Sequence, residues 1–218
     1  TIGATSFMIC MGIGIIYSRH TDAAGYARRG VSLLITGQVL NIFRFGLTSV
    51  FIFLFTSRGK DRAGAMMTFS SDILQFAGLF FLCMALFRKL NLKNRQIFLV
   101  SVVSNVTGML LYNRVNTGIY GIDQFFGLFV FNRSESYFPL LCWMIFPAFG
   151  LLFGDLLTRV NDKKRVYGIL LVPSLVVWVI YYYVGIEVEQ PFFTVFSDWV
   201  TFCGMRIFDA IAILFCCT

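Results

Sequence analysis

The chain has 218 residues, a formal charge of +7, 58% apolar or aromatic residues and 13% charged ones, with a mean hydropathy of +0.78. A soluble domain carries roughly 45–50% apolar and about 25% charged residues, so an ordinary soluble globule is excluded, as are a disordered chain, a disulfide scaffold and a collagen-like fibre. The class that remains is an integral membrane protein of several helices, each needing about 20 apolar residues to cross the hydrocarbon.

In chain order, apolar runs broken by charged loops predict seven spans, at residues 1–17, 30–55, 71–87, 96–112, 137–157, 166–184 and 198–217. The first and last begin and end inside apolar runs, so the expectation is an all-α, multi-pass transmembrane bundle truncated at both ends. It is read as a single integral-membrane domain over residues 1–218, a fragment of a longer protein. One further run, residues 119–131, holds Asp123 and is too short to span; it fits an interfacial or re-entrant segment. Pro139 lies near the start of the fifth span, where a missing N–H costs little. Pro147 and Pro173 fall inside spans and should bend them. Gly150 and Gly154 form a G-x-x-x-G, which permits close helix approach.

The odd loops hold eleven Lys and Arg residues and the even ones five. Positive loops stay cytoplasmic, so Arg28, Arg29, Arg88, Lys89, Lys163, Lys164 and Arg165 are expected inside. The net charge is thus topology rather than a nucleic-acid footprint. Tyr181, Tyr182 and Tyr183 close the sixth span at its expected outer interface.

Polar residues inside the spans carry the candidate chemistry. Gln38, Asn41, Arg44 and Thr48 are spaced 3, 3 and 4 apart, one face of an α-helix. Arg44 lies about 21 Å along the helix from Gly30, and a mid-membrane arginine costs roughly 2.5–3.5 kcal/mol on insertion scales. That face should therefore turn inward and find a carboxylate. Counted from its own outer edge Asp209 is about 16 Å deep, as is Arg44, so an intramembrane polar pair of Arg44 with Asp209 is expected, with Arg206 competing for Asp209. Asp72, nearer the surface, is the weaker partner. Asp72 and Gln75 have capping-box spacing; alternatively they present a carboxylate and an amide to an outer cavity. Asp155 should pair with Arg159 at i+4.

Other chemistry is sparse. The cysteines Cys10, Cys83, Cys142, Cys203, Cys216 and Cys217 show no C-x-x-C spacing. His20 is the single histidine and lies in a basic loop with only Asp22 near it, so no multi-histidine zinc site can form and no metal is expected. No phosphate-cradling or nucleophile-elbow glycine motif occurs. Asn132-Arg133-Ser134 is a glycosylation sequon on the expected outer side.

Several segments in order resemble a known family. They are Ile9-Cys10-Met11-Gly12-Ile13-Gly14-Ile15 before a basic loop, and Arg28-Arg29 … Leu33-Leu34-Ile35-Thr36-Gly37-Gln38-Val39-Leu40-Asn41. Further on come Asp72-Ile73-Leu74-Gln75-Phe76-Ala77-Gly78-Leu79, Tyr137-Phe138-Pro139-Leu140-Leu141-Cys142-Trp143, and Gly150 with Gly154. Together these resemble the heparan-alpha-glucosaminide N-acetyltransferase-like membrane acyltransferases in their bacterial form. The resemblance implies transfer of an acyl group, acetyl above all, from cytoplasmic acyl-CoA (acetyl-CoA) to a sugar or other acceptor on the outer side. It implies a polysaccharide-modifying enzyme of a bacterial cytoplasmic membrane. The family's active histidine is expected before residue 1, and His20 does not take its place; Cys142 stands where the family pattern often has Pro. On this resemblance Arg28, Arg29, Lys163, Lys164 and Arg165 would hold the polyanionic CoA. Asn41, Arg44, Asp72 and Gln75 would be the catalytic candidates, with Asn41 or Arg44 donating to the developing oxyanion. The competing reading is a non-enzymatic transporter or flippase with midplane charges.

Overall fold

The computed structural model describes residues 2–19, 22–55, 72–111, 117–130 and 137–169, together with 68, 114, 115, 172 and 176. Every regular element among them is a helix: α1 (Ile2–Tyr17), α2 (Ala23–Asn41), a π-helical turn (Ile42–Gly46), α3 (Leu47–Phe55), α4 (Ile73–Lys89), α5 (Asn94–Leu110), α6 (Tyr120–Gly127), α7 (Leu140–Trp143) and α8 (Ile145–Arg159). The first five predicted spans coincide with these helices. Only the start of the sixth is described, in the helical residues 163–169. The seventh, with Arg206 and Asp209, lies outside the described residues, as do His20, Pro173, the tyrosine triplet and the sequon. Two stretches, Ala23–Ile52 (30 residues) and Leu140–Arg159 (20 residues), are long and apolar enough to cross a membrane. α1, α4 and α5, with 16, 17 and 17 residues, fall a little short of the roughly 20 that a span needs.

Contacts divide the chain into two compact units, residues 19–145 and residues 1–18 with 146–218. In the unit of residues 19–145, α2 and α4 lie antiparallel along their length. Asp22 starts α2 as its N-cap, accepting from Gly25 N at 2.9 Å. The two helices meet at glycines: a Cβ on Gly30 would lie 2.8 Å from the Gly78 carbonyl oxygen, and one on Gly78 2.9 Å from that of Gly30. Tyr26 stacks on Phe81 with ring centroids 6.1 Å apart. A tight turn then joins α4 to α5. Asn91 takes the left-handed conformation that stops α4 (φ 55), Leu92 N bonds Phe87 O at 2.9 Å, and Gln96 Oε1 accepts from Lys93 N at 2.8 Å. At the far end of α5, the Asn105 amide donates to the Cys142 carbonyl of α7, and Gly108 leaves room for Leu141 and Cys142.

The short run with Asp123 becomes the eight-residue helix α6, about 12 Å long and therefore not a crossing. Non-helical backbone follows it but is not left unpaired: Leu128 O accepts from Leu140 N at 2.8 Å and Phe129 O from Leu141 N at 3.0 Å. Irregular backbone at membrane depth has to be satisfied in this way.

In the other unit, α1 runs beside α8 in the same direction. Gly12 faces Pro147 and Gly150, Gly150 faces the Ile9 carbonyl, and Gly154 faces Ile13 and Ile16. The G-x-x-x-G of the sequence is thus a packing surface. Phe153, Leu157 and the buried Tyr167 form a core against Ile13, Phe149 and Val166. Pro147 lies in the first turn of α8, within the apolar stretch Leu140–Arg159 and three residues after the interruption at Met144 that separates α7 from α8. The physical reason is that a proline ring clashes with the carbonyl four residues earlier, here that of Trp143. The i+4 pair Asp155–Arg159 forms as expected, at 3.7 Å.

The outward faces are apolar. On α2, the π turn and α3, Ile35, Phe43, Phe51, Leu54 and Phe55 are exposed, and on α5 so are Leu99, Val103, Val106 and Leu110. Apolar stripes of this extent are poorly suited to water and well suited to lipid.

Candidate functional site

The candidate residues converge where α2 gives way to the π turn and passes the start of α4. Along α2 the buried edge is Tyr26, Gly30, Gly37 and Asn41, an α-helical stripe that packs on α4. At Ile42 the ladder changes: Leu47 N bonds Ile42 O, an i→i+5 closure. The longer turn shifts the register of everything after it, and π turns of this kind often mark functional sites.

This shift overturns the expectation of one inward polar face. Asn41 is buried, and Gln38 Nε2 donates to the Thr68 carbonyl at 3.1 Å. Arg44, after the register change, carries a side chain that is 70% exposed, with its guanidinium 4.9 Å from the centroid of the Phe45 ring. Thr48 is exposed and its hydroxyl donates back to the Arg44 carbonyl at 2.8 Å. The four positions therefore split between interior and periphery.

The carboxylate that reaches Arg44 is Asp72, with Nη1 and Oδ2 3.9 Å apart. It was the weaker choice by depth. Asp209, the preferred one, lies with Arg206 outside the described residues. Asp72 also starts α4: its Oδ1 accepts from Ile73 N at 2.7 Å. It is thus an N-cap and an ion-pair partner at once, one oxygen for each. The reciprocal half of the capping box is not made. Gln75 is buried instead, at 4% exposure, with no hydrogen-bonding partner for Oε1 or Nε2 among the described residues, and its Cδ and Oε1 lie against the bare Cα of Gly37. Of the four catalytic candidates of the sequence, the structure thus brings Arg44 and Asp72 into contact, while Asn41 and Gln75 are buried on the same two helices.

The basic candidates sit elsewhere. Arg28 and Arg29 are exposed on α2, 16 and 15 residues before Arg44 and so about 24 Å along the helix. Lys163, Lys164 and Arg165 are exposed in the other unit, where Asp162 accepts from Arg165 N at 3.2 Å and Lys163 Nζ lies 5.6 Å from the Tyr17 ring centroid.

Sequence reasoning missed two arrangements. The π turn has no periodic signal, since Asn41 to Gly46 reads as continued helix. The second is the Asp123 anchor: Oδ1 accepts from Thr117 N and Oγ1, both at 2.7 Å, and Oδ2 from Gly118 N at 3.1 Å. Its one sequence signal was Gly118, which takes φ +77, a conformation that favours glycine.

Comparison with known proteins identifies a family. The profile described as heparan-alpha-glucosaminide N-acetyltransferase, catalytic, matches residues 1–187. No curated protein and no solved structure matches the chain. The match includes both ends of the α2–α4 pair and the packed faces of α1 and α8. With the all-helical architecture and its span-length apolar helices, it establishes that the chain belongs to the heparan-alpha-glucosaminide N-acetyltransferase catalytic family, a family of integral-membrane acetyltransferases.

Proposed function

We infer that this chain is part of a bacterial membrane acyltransferase that moves an acetyl group from cytoplasmic acetyl-CoA to a sugar hydroxyl or amine on the outer side. The observation that carries the reading is the contact of Arg44 with Asp72 at one end of α2–α4, with Asn41 and Gln75 buried on the same two helices and the exposed Arg28 and Arg29 at the other end. Such a pair suits a reaction whose polyanionic donor and polar acceptor arrive from opposite sides.

In the reaction the acceptor's nucleophile attacks the thioester carbonyl, the C–S bond breaks, and the CoA thiolate leaves and takes up a proton. Charge develops on the carbonyl oxygen, and a guanidinium or amide donor aimed there lowers the barrier; Arg44 and Asn41 are the groups of this chain able to supply one. A general base must take the acceptor's proton. Arg28 and Arg29 bind donor phosphates by charge-assisted hydrogen bonds, and Lys163, Lys164 and Arg165 are further phosphate-binding candidates.

The test uses the full-length protein in sealed vesicles with labelled acetyl-CoA on the Arg28 side and glucosamine on the other. Label should appear in N-acetylglucosamine, and Arg44→Leu should abolish its appearance while the protein remains folded. Glucosamine uptake without acetylation would instead favour a transporter.

A further inference from the structure

On α1 the exposed positions Phe7, Cys10, Gly14 and Tyr17 are spaced 3, 4 and 3 apart and form one stripe. From Phe7 to Tyr17 it runs ten residues, about 15 Å, which is one leaflet of a hydrocarbon core about 30 Å thick. The stripe is notched: a Cβ on Gly14 would meet nothing within 4 Å, so an open trough lies between the exposed Cys10 and Tyr17. Tyr167, from the start of the sixth apolar run, stands at its edge. Its ring packs on Phe153 with centroids 5.5 Å apart, and Tyr17 and Cys10 are the electrostatic neighbours of its hydroxyl. One turn earlier the Lys163 ammonium lies 5.6 Å from the Tyr17 ring centroid, followed by the exposed Lys164 and Arg165. Among the described residues these three cations have no carboxylate partner: Asp162 accepts from the Arg165 backbone, and Asp155 pairs with Arg159. All of these residues belong to one compact unit.

We propose that the stripe and the three cations form a seat for an anionic phospholipid of the leaflet expected to be cytoplasmic, its acyl chain along Cys10 and Gly14 and its phosphate at Lys163, Lys164 and the Tyr17 hydroxyl. Length and charge choose this occupant together. A trough one leaflet long that ends in an aromatic ring and an ammonium matches a hydrocarbon chain that ends in a phosphate. Rings with a polar tip settle at headgroup level, a lysine reaches that level along its apolar stem, and basic pockets between spans on the cytoplasmic side hold anionic headgroups. A zwitterionic lipid would bring an ammonium of its own beside three cations. A protein helix laid over the stripe would close the trough and leave the cations unanswered. A free phosphate, the acyl donor's included, shares the charge chemistry but has no chain for the trough. The seat does not depend on the acyltransferase reading.

The test is thermal unfolding of the full-length protein in a neutral detergent, alone and with phosphatidylglycerol, phosphatidylcholine or glycerol 3-phosphate. Phosphatidylglycerol should raise the midpoint, and the other two should not. Gly14→Leu fills the trough from a position with room for it. It should unfold at the same or a higher midpoint without lipid, yet bind phosphatidylglycerol about tenfold more weakly, the worth of roughly two buried methylenes. Lys163→Gln with Lys164→Gln leaves the trough intact and serves if the leucine variant does not fold; it should reduce the response to phosphatidylglycerol to that of phosphatidylcholine. The seat is overturned if phosphatidylcholine stabilises wild type as strongly, which marks ordinary lipid contact, or if glycerol 3-phosphate does, which marks a site for soluble phosphates. It is equally overturned if either folded variant responds to phosphatidylglycerol as wild type does. No acyl donor or acceptor is present, so none of these outcomes turns on acetyl transfer.

Discussion

Replacing Gly30 by alanine tests the α2–α4 contact on which the candidate site is built. The new Cβ would lie 2.8 Å from the Gly78 carbonyl oxygen and 2.9 Å from Leu82 Cγ. The leucine can rotate away, but the carbonyl belongs to a helix backbone and cannot. The helices must separate by roughly 0.5–1 Å, which forfeits a quarter to a half of each dispersion contact along the seam. Overpacking of this kind costs about 1–3 kcal/mol. Against it stands the intrinsic preference of a helix for Ala over Gly, about 0.8–1 kcal/mol. Gly14, in α1, is the control: nothing lies within 4 Å of a Cβ built there, so Gly14→Ala keeps the propensity gain without the clash. Subtracting one variant from the other cancels the propensity contribution, and Gly30→Ala should be the less stable by about 1–3 kcal/mol. The assay is reversible unfolding in detergent, followed by circular dichroism. Equal midpoints for the two variants would refute the close backbone approach and with it the placement of Asp72 beside Arg44.

Arg44→Leu combined with Asp72→Asn, which keeps a side-chain acceptor at the N-cap of α4, should change stability by less than about 1 kcal/mol, because exposed ion pairs contribute little, but it should abolish acetyl transfer; retained transfer in that variant excludes both charges from the chemistry. Asp123→Ala removes the acceptor for Thr117 and Gly118 and should destabilise by about 3 kcal/mol, since hydrogen bonds to a charged group are worth roughly 1.5–3 each and do not add fully. Amide exchange at Thr117 and Gly118 would show it, and unchanged protection there contradicts the anchor. Arg28→Ala with Arg29→Ala should weaken acetyl-CoA binding by a factor that shrinks as salt is raised; equal affinity for wild type and variant at low salt leaves these residues with a topological role only.

The class and the helices were legible in the sequence because burial in lipid needs only a run of apolar residues, a local property of the chain. The helices at the first five apolar runs, the short segment around Asp123 and the packing role of Gly150 and Gly154 all follow from run length, helix periodicity and small side chains. Asn41, Arg44, Asp72 and Gln75 were legible only as a set of candidates. Depth counting assumes straight, ideal helices and cannot tell which helix lies alongside; it ranked Asp72 below Asp209, which lies outside the described residues, and so did not single out the contact that α4 makes with Arg44. The face shared by Gln38, Asn41, Arg44 and Thr48 exists on an uninterrupted α-helix, and one i→i+5 turn dissolves it by rotating Arg44 and Thr48 away from Asn41. Capping-box spacing likewise gives Gln75 a backbone partner, but the bare Cα of Gly37 on the neighbouring helix opens a place for its side chain instead. Spacing along one chain sets what each segment can do alone; the approach of a second backbone, decided by glycines 48 residues apart in the sequence (Gly30 and Gly78), selects which side chains meet.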